Sequence, residues 1–403
     1  MNTMRIAMLY TPLTTAGGAE RQFFEELREL RARGHEVRAL TFELRDEALF
    51  SGGIARRDIA VLSKHGGRPG KVRALRSALA SIAPDVLISH TSPELTWIAT
   101  RRLGVPYVQY HNSPPFYIGE QANPYMASRR YRRAFPSIRG GAAGYEAFAS
   151  APDLPMRARI AAEVRAELKH RALRGAAAIV VPSRRTAREL RLLHGVDATV
   201  VRGCLQASLL ERSAAPQDGM APGRASRYRG PVVLSVSRLE PVKRIDLLLR
   251  AFAVVRRDVG DATLIIAGTG SEETRLRSLA SELALDGCVR FAGYVPEDQL
   301  WELYASADVL AAPAMADFII APYEAMAMGC RAVWTTEMET DPAIEGSGQV
   351  FIAPPEEPAF ARAIVDALRA PANARADLRG MTWTARAGRI EALIERVTMK
   401  AAA

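Results

Sequence analysis

Arg238 and Lys243, two cations five residues apart, are the side chains whose types and spacing best suit chemistry. They follow an apolar, β-branched run, Val232-Val233-Leu234-Ser235-Val236, and precede an amphipathic pattern that begins at Ile245. The stretch reads as strand, loop and helix start, which is the ligand-binding edge of an open α/β sheet. Backbone N–H groups and the positive end of a helix dipole collect at such an edge, so two fixed cations beside them suit an anion such as a diphosphate. The plainer alternative is a pair of surface cations at a turn.

Two other places offer chemistry. Gly17-Gly18 lie between an expected strand over residues 4–10 and a helix from Glu20, where glycine lets backbone approach a ligand or forms an ordinary turn. His111 closes an expected strand that starts at Pro106, and it opens a polar, proline-rich loop, Asn112-Ser113-Pro114-Pro115-Phe116. A histidine at the carboxyl end of a strand either acts on a ligand or fills a structural place.

The elements that must position these residues alternate. Phe23, Leu27 and Leu30 share one face of the first helix, which Gly34 ends, and strands follow at Val37–Thr41, Asp85–His90, Pro106–His111, Ala178–Val181 and Ala198–Val201. Residues 213–230 lack apolar periodicity, which places a linker over 206–230. Strands at Val232, Thr263–Ala267, Val289–Phe291 and Asp308–Ala312 then alternate with helices, one bounded by Pro322 and Gly329. The expected fold is α/β, with two doubly wound, Rossmann-like domains over 1–205 and 231–378 and a last helical pattern within 379–403.

Composition agrees with two domains: 403 residues, 48% of them hydrophobic, exceed one ordinary core. No apolar run approaches the ~20 residues of a membrane span, and the first residues read as a strand rather than a signal peptide. Cys204, Cys288 and Cys330 are odd in number and far apart, which suits a reducing cytosol and gives neither a disulfide frame nor a zinc site. A net charge of +10 points to an anionic partner, and no nucleic-acid-binding motif accompanies it, so nucleic acid is not expected. The region 125–174 is strongly basic, and Ile160, Val164 and Leu168 recur on one helical face. The favoured reading is a core-facing helix with a solvated charged face. The other is a basic amphipathic helix on an anionic membrane, which would place the protein peripherally on the inner face of the cell membrane.

Several familiar chemistries fail on spacing. Gly66-Gly67-Arg68-Pro69-Gly70-Lys71-Val72 is no P-loop, because valine stands where a hydroxyl would hold magnesium. Gly268-Thr269-Gly270 lacks the third glycine of a dinucleotide fingerprint, and there is no nucleophile elbow, His-Glu-x-x-His or Cys-x-x-Cys. The absence of Asp-x-Asp argues against a metal-chelated nucleotide sugar and leaves phosphate neutralisation to Arg238, Lys243 and helix ends.

With these residues in view, the chain resembles the retaining GT-B glycosyltransferases of family 4. The resemblance rests on Val236-Ser237-Arg238-Leu239-Glu240-Pro241-Val242-Lys243-Arg244, Ile266-Ala267-Gly268-Thr269-Gly270, Phe291-Ala292-Gly293-Tyr294-Val295, and Asp317-Phe318 through Pro322-Tyr323-Glu324-Ala325-Met326-Ala327-Met328-Gly329. Gly17-Gly18-Ala19-Glu20 and Gly34-His35-Glu36-Val37 match the family's first domain. The likeness is strong over 231–370 and weak over 113–175.

The resemblance implies roles. Arg238 and Lys243 would bind the donor diphosphate and stabilise the departing nucleotide diphosphate. Glu324 would accept ribose hydroxyls, backbone near Tyr294 and Val295 would meet the base, and Gly17-Gly18 would approach the phosphates. Gly268, Asp317 and Phe318 belong to the same donor-side motifs, and His111 resembles a strand-end histidine near the reaction centre. The implied activity is metal-independent transfer from a GDP- or UDP-linked sugar, mannose by its closest wording, to a glycan or lipid-linked acceptor, with no cofactor. The last helix would cross back onto the first domain. The chain departs from the family at Ala316, where a glutamate is usual, and at Ile319, Ser237 and Pro182. Ala316 motivates an alternative, a nucleotide-sugar-binding protein without turnover. An epimerase on the same fold is more distant, since it would need paired acid and base groups.

Overall fold

The computed structural model describes residues 3–14, 18–46, 49, 54–112, 124–139, 155–214, 230–340, 342–371 and 375–402. The first sheet has the order β3-β2-β1-β4-β5-β6-β7, formed by β1 (Arg5–Leu9), β2 (Glu36–Thr41), β3 (Ile59–Val61), β4 (Val86–Ser89), β5 (Tyr107–Tyr110), β6 (Ala178–Val181) and β7 (Thr199–Val200). The second has the order β10-β9-β8-β11-β12-β13, formed by β8 (Val232–Val236), β9 (Thr263–Ala267), β10 (Val289–Gly293), β11 (Val309–Ala312), β12 (Arg331–Thr335) and β13 (Val350–Ala353). Neighbouring strands in both sheets pair in parallel. Helices cover both faces of such sheets, which is why β4 and β5 are buried end to end and read as apolar runs.

The first domain carries α1 (Gly18–Ala32), α2 (Gly67–Ile82), α3 (Pro93–Thr100), α4 (Arg129–Arg139), α5 (Met156–Arg174) and α6 (Arg184–His194). Phe23, Leu27 and Leu30 of α1 are fully buried on the sheet, as their spacing predicts. The segment expected as a linker instead opens with a helix, α7 (Ala207–Ala214), and Leu205 and Leu209 join the core of the second domain. The second domain adds α8 (Ile245–Asp258), α9 (Glu273–Glu282), α10 (Glu297–Ser306), α11 (Ala321–Ala327), α12 (Pro342–Glu345) and α13 (Glu357–Arg369). The last helix, α14 (Trp383–Ala402), packs on α1 and puts Ile390, Leu393, Ile394 and Val397 into the first domain's core. His35 Nε2 meets Glu391 at 2.9 Å, Arg33 Nη1 donates to the same carboxylate at 2.8 Å, and Arg386 reaches the buried Glu26 at 3.4 Å.

One expectation is corrected in α5. Ile160 and Val164 do not face the core: with Met156 they are 58%, 53% and 69% exposed. The buried side of α5 is Ala162, Ala166, Lys169, Ala172 and Leu173, and its three alanines let the helix sit close to α3 and α6.

Candidate functional site

The loop after β8 is shaped by close backbone packing. Gly268, at the end of β9, has φ of +133°, and a Cβ there would lie 1.9 Å from the carbonyl oxygen of Ser237, so only glycine lets the two loops touch. Leu239 N–H then donates to the Thr269 carbonyl at 2.9 Å, and Pro241–Lys243 form one 3-10 turn. Arg244 begins α8 in the left-handed region, φ 50°, and its guanidinium forks onto the fully buried Glu337 at 2.5 and 3.1 Å. The turn is also tied to the loop after β11, since Met315 N–H donates to the Val242 carbonyl at 2.9 Å.

Within this frame the two expected cations sit differently. Arg238 is 75% exposed and donates to Glu240, a solvent-facing pair that holds it weakly. Lys243 is half-buried, and burial followed by the charge of Arg238 pushes its pKa below the ordinary 10.5.

Glu324 lies on α11 and is buried. The Tyr304 hydroxyl donates to its Oε2 at 2.9 Å; burial raises its pKa, and the Tyr304 hydrogen bond and Arg21 of α1 draw it back down. The residue faces a cavity of about 230 Å³ between the domains, lined among others by Gly18, Asn112, Gly203, Phe318 and Ile320. Gly18, Asn112, Gly203 and Phe318 follow β1, β5, β7 and β11, so the carboxyl edges of both sheets open onto one space. The Phe318 ring, stacked on Tyr323 at 5.3 Å, lies so near Gly203 that a Cβ there would stand 2.5 Å from it.

The structure therefore brings Gly18, Phe318 and Glu324 together, and gathers Arg238, Lys243 and Gly268 on the neighbouring β8 and β9 loops. His111 follows β5, with its N–H bonded to the Val180 carbonyl at 2.9 Å, and the next residue, Asn112, lines the cavity. Tyr294 is 78% exposed and Val295 half-buried in the loop after β10. Gly17 and residues 113–116 lie outside the described residues. Asp317 is not among the residues lining the cavity, and its buried carboxylate accepts hydrogen bonds from Ser183 Oγ, at 2.6 Å, and from Thr186 Oγ1. These hydrogen bonds tie the loop after β11 to the start of α6 across the domain junction.

The rest of that junction was not foreseen. Ser183 caps α6 by accepting the Thr186 N–H at 3.0 Å; Arg185 donates from its backbone to Glu339 at 2.8 Å and from Nη1 to the Glu337 carbonyl at 2.7 Å. The available signal was Glu337-Met338-Glu339 set against Arg184-Arg185, but nothing local pairs stretches 150 residues apart. Among the described residues no three His, Cys, Asp or Glu side chains form a group that could hold a metal ion.

Two Rossmann-like domains whose strand ends share a cleft, with cations on one side, define the GT-B class of nucleotide-sugar-binding folds. The model of the glycosyl transferases group 1 matches residues 223–380, and that of glycosyltransferase family 4 matches residues 16–203. The chain belongs to the GT-B group 1 glycosyltransferases. It is 38% identical over 128 residues to a D-inositol 3-phosphate glycosyltransferase of Nocardia farcinica, covering 30% of this chain and 27% of that one. Over 83 residues it is 41% identical to a GDP-mannose-dependent α-(1-6)-phosphatidylinositol monomannoside mannosyltransferase of Mycolicibacterium smegmatis, 21% of this chain and 22% of that one. The matched stretch thus spans about a quarter of the length of these curated relatives. The structure of a sucrose-phosphate synthase from Thermosynechococcus elongatus superposes with a TM-score of 0.65 over 98% of this chain and 96% of that one, at 17% identity, a likeness of fold. The reading of the chain as a binding protein without turnover gains no support from these relatives.

Proposed function

We propose that the protein is a retaining hexosyltransferase that moves a sugar, mannose by its relatives, from a nucleotide-diphosphate sugar to a glycan or lipid-linked acceptor held by the first domain. The observation that carries this reading is the placement of Glu324 at a cleft between two parallel sheets, beside a loop that presents Arg238 and a desolvated Lys243. Glu324, already oriented by Tyr304, would accept the ribose hydroxyls, and the loop after β10 at Tyr294 and Val295 would meet the base. The acceptor hydroxyl would attack the anomeric carbon from the face the diphosphate leaves. The electron pair of the breaking C–O bond stays on the leaving phosphate oxygen, which also takes the acceptor's proton. Arg238 and Lys243 stabilise the charge that builds on it, with no metal ion in the scheme. His111 lies one residue from the cavity and is assigned to the reaction centre. The product diphosphate remains clamped until the loop releases it.

The donor is GDP-linked in this reading, with UDP the competing base; the identified mannosyltransferase relative is GDP-mannose-dependent by name. The site of action is cytoplasmic. Thermal-shift titration with GDP, UDP, ADP and their sugars tests the reading, because a ligand that binds the native state raises its melting temperature by an amount that grows with its affinity. Stabilisation by GDP and GDP-mannose is the expected result. No stabilisation by any nucleoside diphosphate contradicts the proposal.

A further inference from the structure

The solvent side of α5 carries a patch that the donor site does not use. Met156, Ile160 and Val164 recur every four residues, which puts them on one helical stripe, and all three point to solvent. They make up three of the seven large hydrophobic side chains exposed among the described residues, and a fourth, Leu192 of α6, lines the recess that α6 forms with α4 and with Glu163 and Glu167 of α5. Clustering of this kind, unlike single exposed apolar residues, marks an interaction surface.

The surroundings of the stripe are basic. Arg129, Arg130 and Arg133 of α4 line an open recess of about 540 Å³ between α4, α5 and α6, together with Glu163, Glu167 and Leu192. Both acids in it are engaged: Glu163 accepts the Arg129 backbone N–H at 2.8 Å, and Glu167 takes Arg130 at 3.3 Å and Arg171 at 2.9 Å. Arg157 and Arg159 are exposed beside the stripe itself.

We infer that this face docks the protein onto an anionic phospholipid bilayer. The stripe enters the boundary between headgroups and acyl chains, and the arginines of the recess take lipid phosphates. A second copy of the chain is the competing occupant, and charge decides against it. A two-fold contact through this stripe would set the arginines of α4 and α5 against their own symmetry mates, on a chain that already carries +10. Three side chains also fall well short of the ~800 Å² per partner of a stable interface. A bilayer rich in anionic lipid satisfies the apolar stripe and the arginines together. The inference does not depend on which sugar nucleotide the cleft accepts.

Sedimentation of the full chain with phosphatidylglycerol-containing and with pure phosphatidylcholine vesicles, at low and at high salt, tests it. The expected result is binding to the anionic vesicles alone, weakened ~10-fold by high salt because the arginine contacts are screened. Ile160→Ser with Val164→Ser, and separately Arg129→Gln with Arg133→Gln, each reduce binding ~10-fold, while the thermal shift produced by nucleotide stays that of the unaltered chain. Equal binding to both vesicle types, no binding, or a dimer in light scattering that Ile160→Ser with Val164→Ser dissolves overturns the inference. Because the nucleotide shift is measured on the same samples, failure of membrane docking is separated from failure of the proposed transferase reading.

Discussion

Asp317 accepts a hydrogen bond from Ser183 Oγ at 2.6 Å, which joins the loop after β11 in the second domain to the first turn of α6 in the first. Thr186 donates to the same oxygen, and the carboxylate is buried. Removal of this acceptor strands two buried hydroxyls, at a cost of ~2–3 kcal/mol. Asp317→Ala therefore lowers the melting temperature by ~5–10 °C, and Asp317→Asn, which keeps an acceptor oxygen, by less. Calorimetry checks this, and an unchanged melting temperature in Asp317→Ala contradicts the junction described.

Glu337 holds the start of α8 through its fork with Arg244, next to Lys243, and its backbone carbonyl takes Arg185 of the first domain. Glu337→Gln weakens the fork and loosens the phosphate-facing turn. The affinity for a nucleoside diphosphate falls ~5–10-fold, equivalent to ~1–1.4 kcal/mol, while that for the bare nucleoside is unchanged. Isothermal titration with the two ligands separates these outcomes; an equal loss for both would assign Glu337 to general stability.

Gly268→Ala drives a methyl group into the Ser237 carbonyl oxygen 1.9 Å away and imposes an unfavourable φ. The β8 and β9 loops must part, which costs ~2 kcal/mol or more. Both a lower melting temperature and weaker diphosphate binding are expected. Loss of stability with full binding would show that the contact does not shape the anion loop.

His194 is buried at the end of α6, facing Lys169, His111, His170 and Arg130. Burial is the main cause of its pKa falling from 6.5 to about 2, and the neighbouring cations add to it. It stays neutral when folded and binds a proton when unfolded, so stability is full above pH 6.5 and is lost as the pH falls toward 2, by up to ~1.4 kcal/mol per unit. His194→Phe removes this contribution. Melting temperatures followed from neutral pH downward then fall less steeply in the variant; parallel slopes refute the assignment.

The strand and turn that carry Arg238 and Lys243 were legible in the sequence because Val232–Val236 is an apolar run that ends abruptly at a polar turn. The same holds for β1 and for the α1 stripe of Phe23, Leu27 and Leu30. β12 and β13 were not anticipated: Arg331 opens the first, while the second, Val350–Ala353, is a short apolar run. Periodicity located the Ile160–Val164 face but could not say which way it points, since the seat of α5 is formed largely by alanines, together with Lys169 and Leu173, and gives little apolar signal of its own. The partners of Asp317 were not legible for a different reason: they stand 131 and 134 residues away, and only the fold brings them together.

The central claim is that Lys243, desolvated beside Arg238, clamps the diphosphate of a sugar nucleotide. Isothermal titration of GDP into the unaltered chain and into Lys243→Ala tests it most directly. Loss of a charge-assisted contact to phosphate, worth ~1.5–3 kcal/mol, predicts at least a ~10-fold weaker affinity in the variant. Equal affinity in the two proteins would contradict the claim.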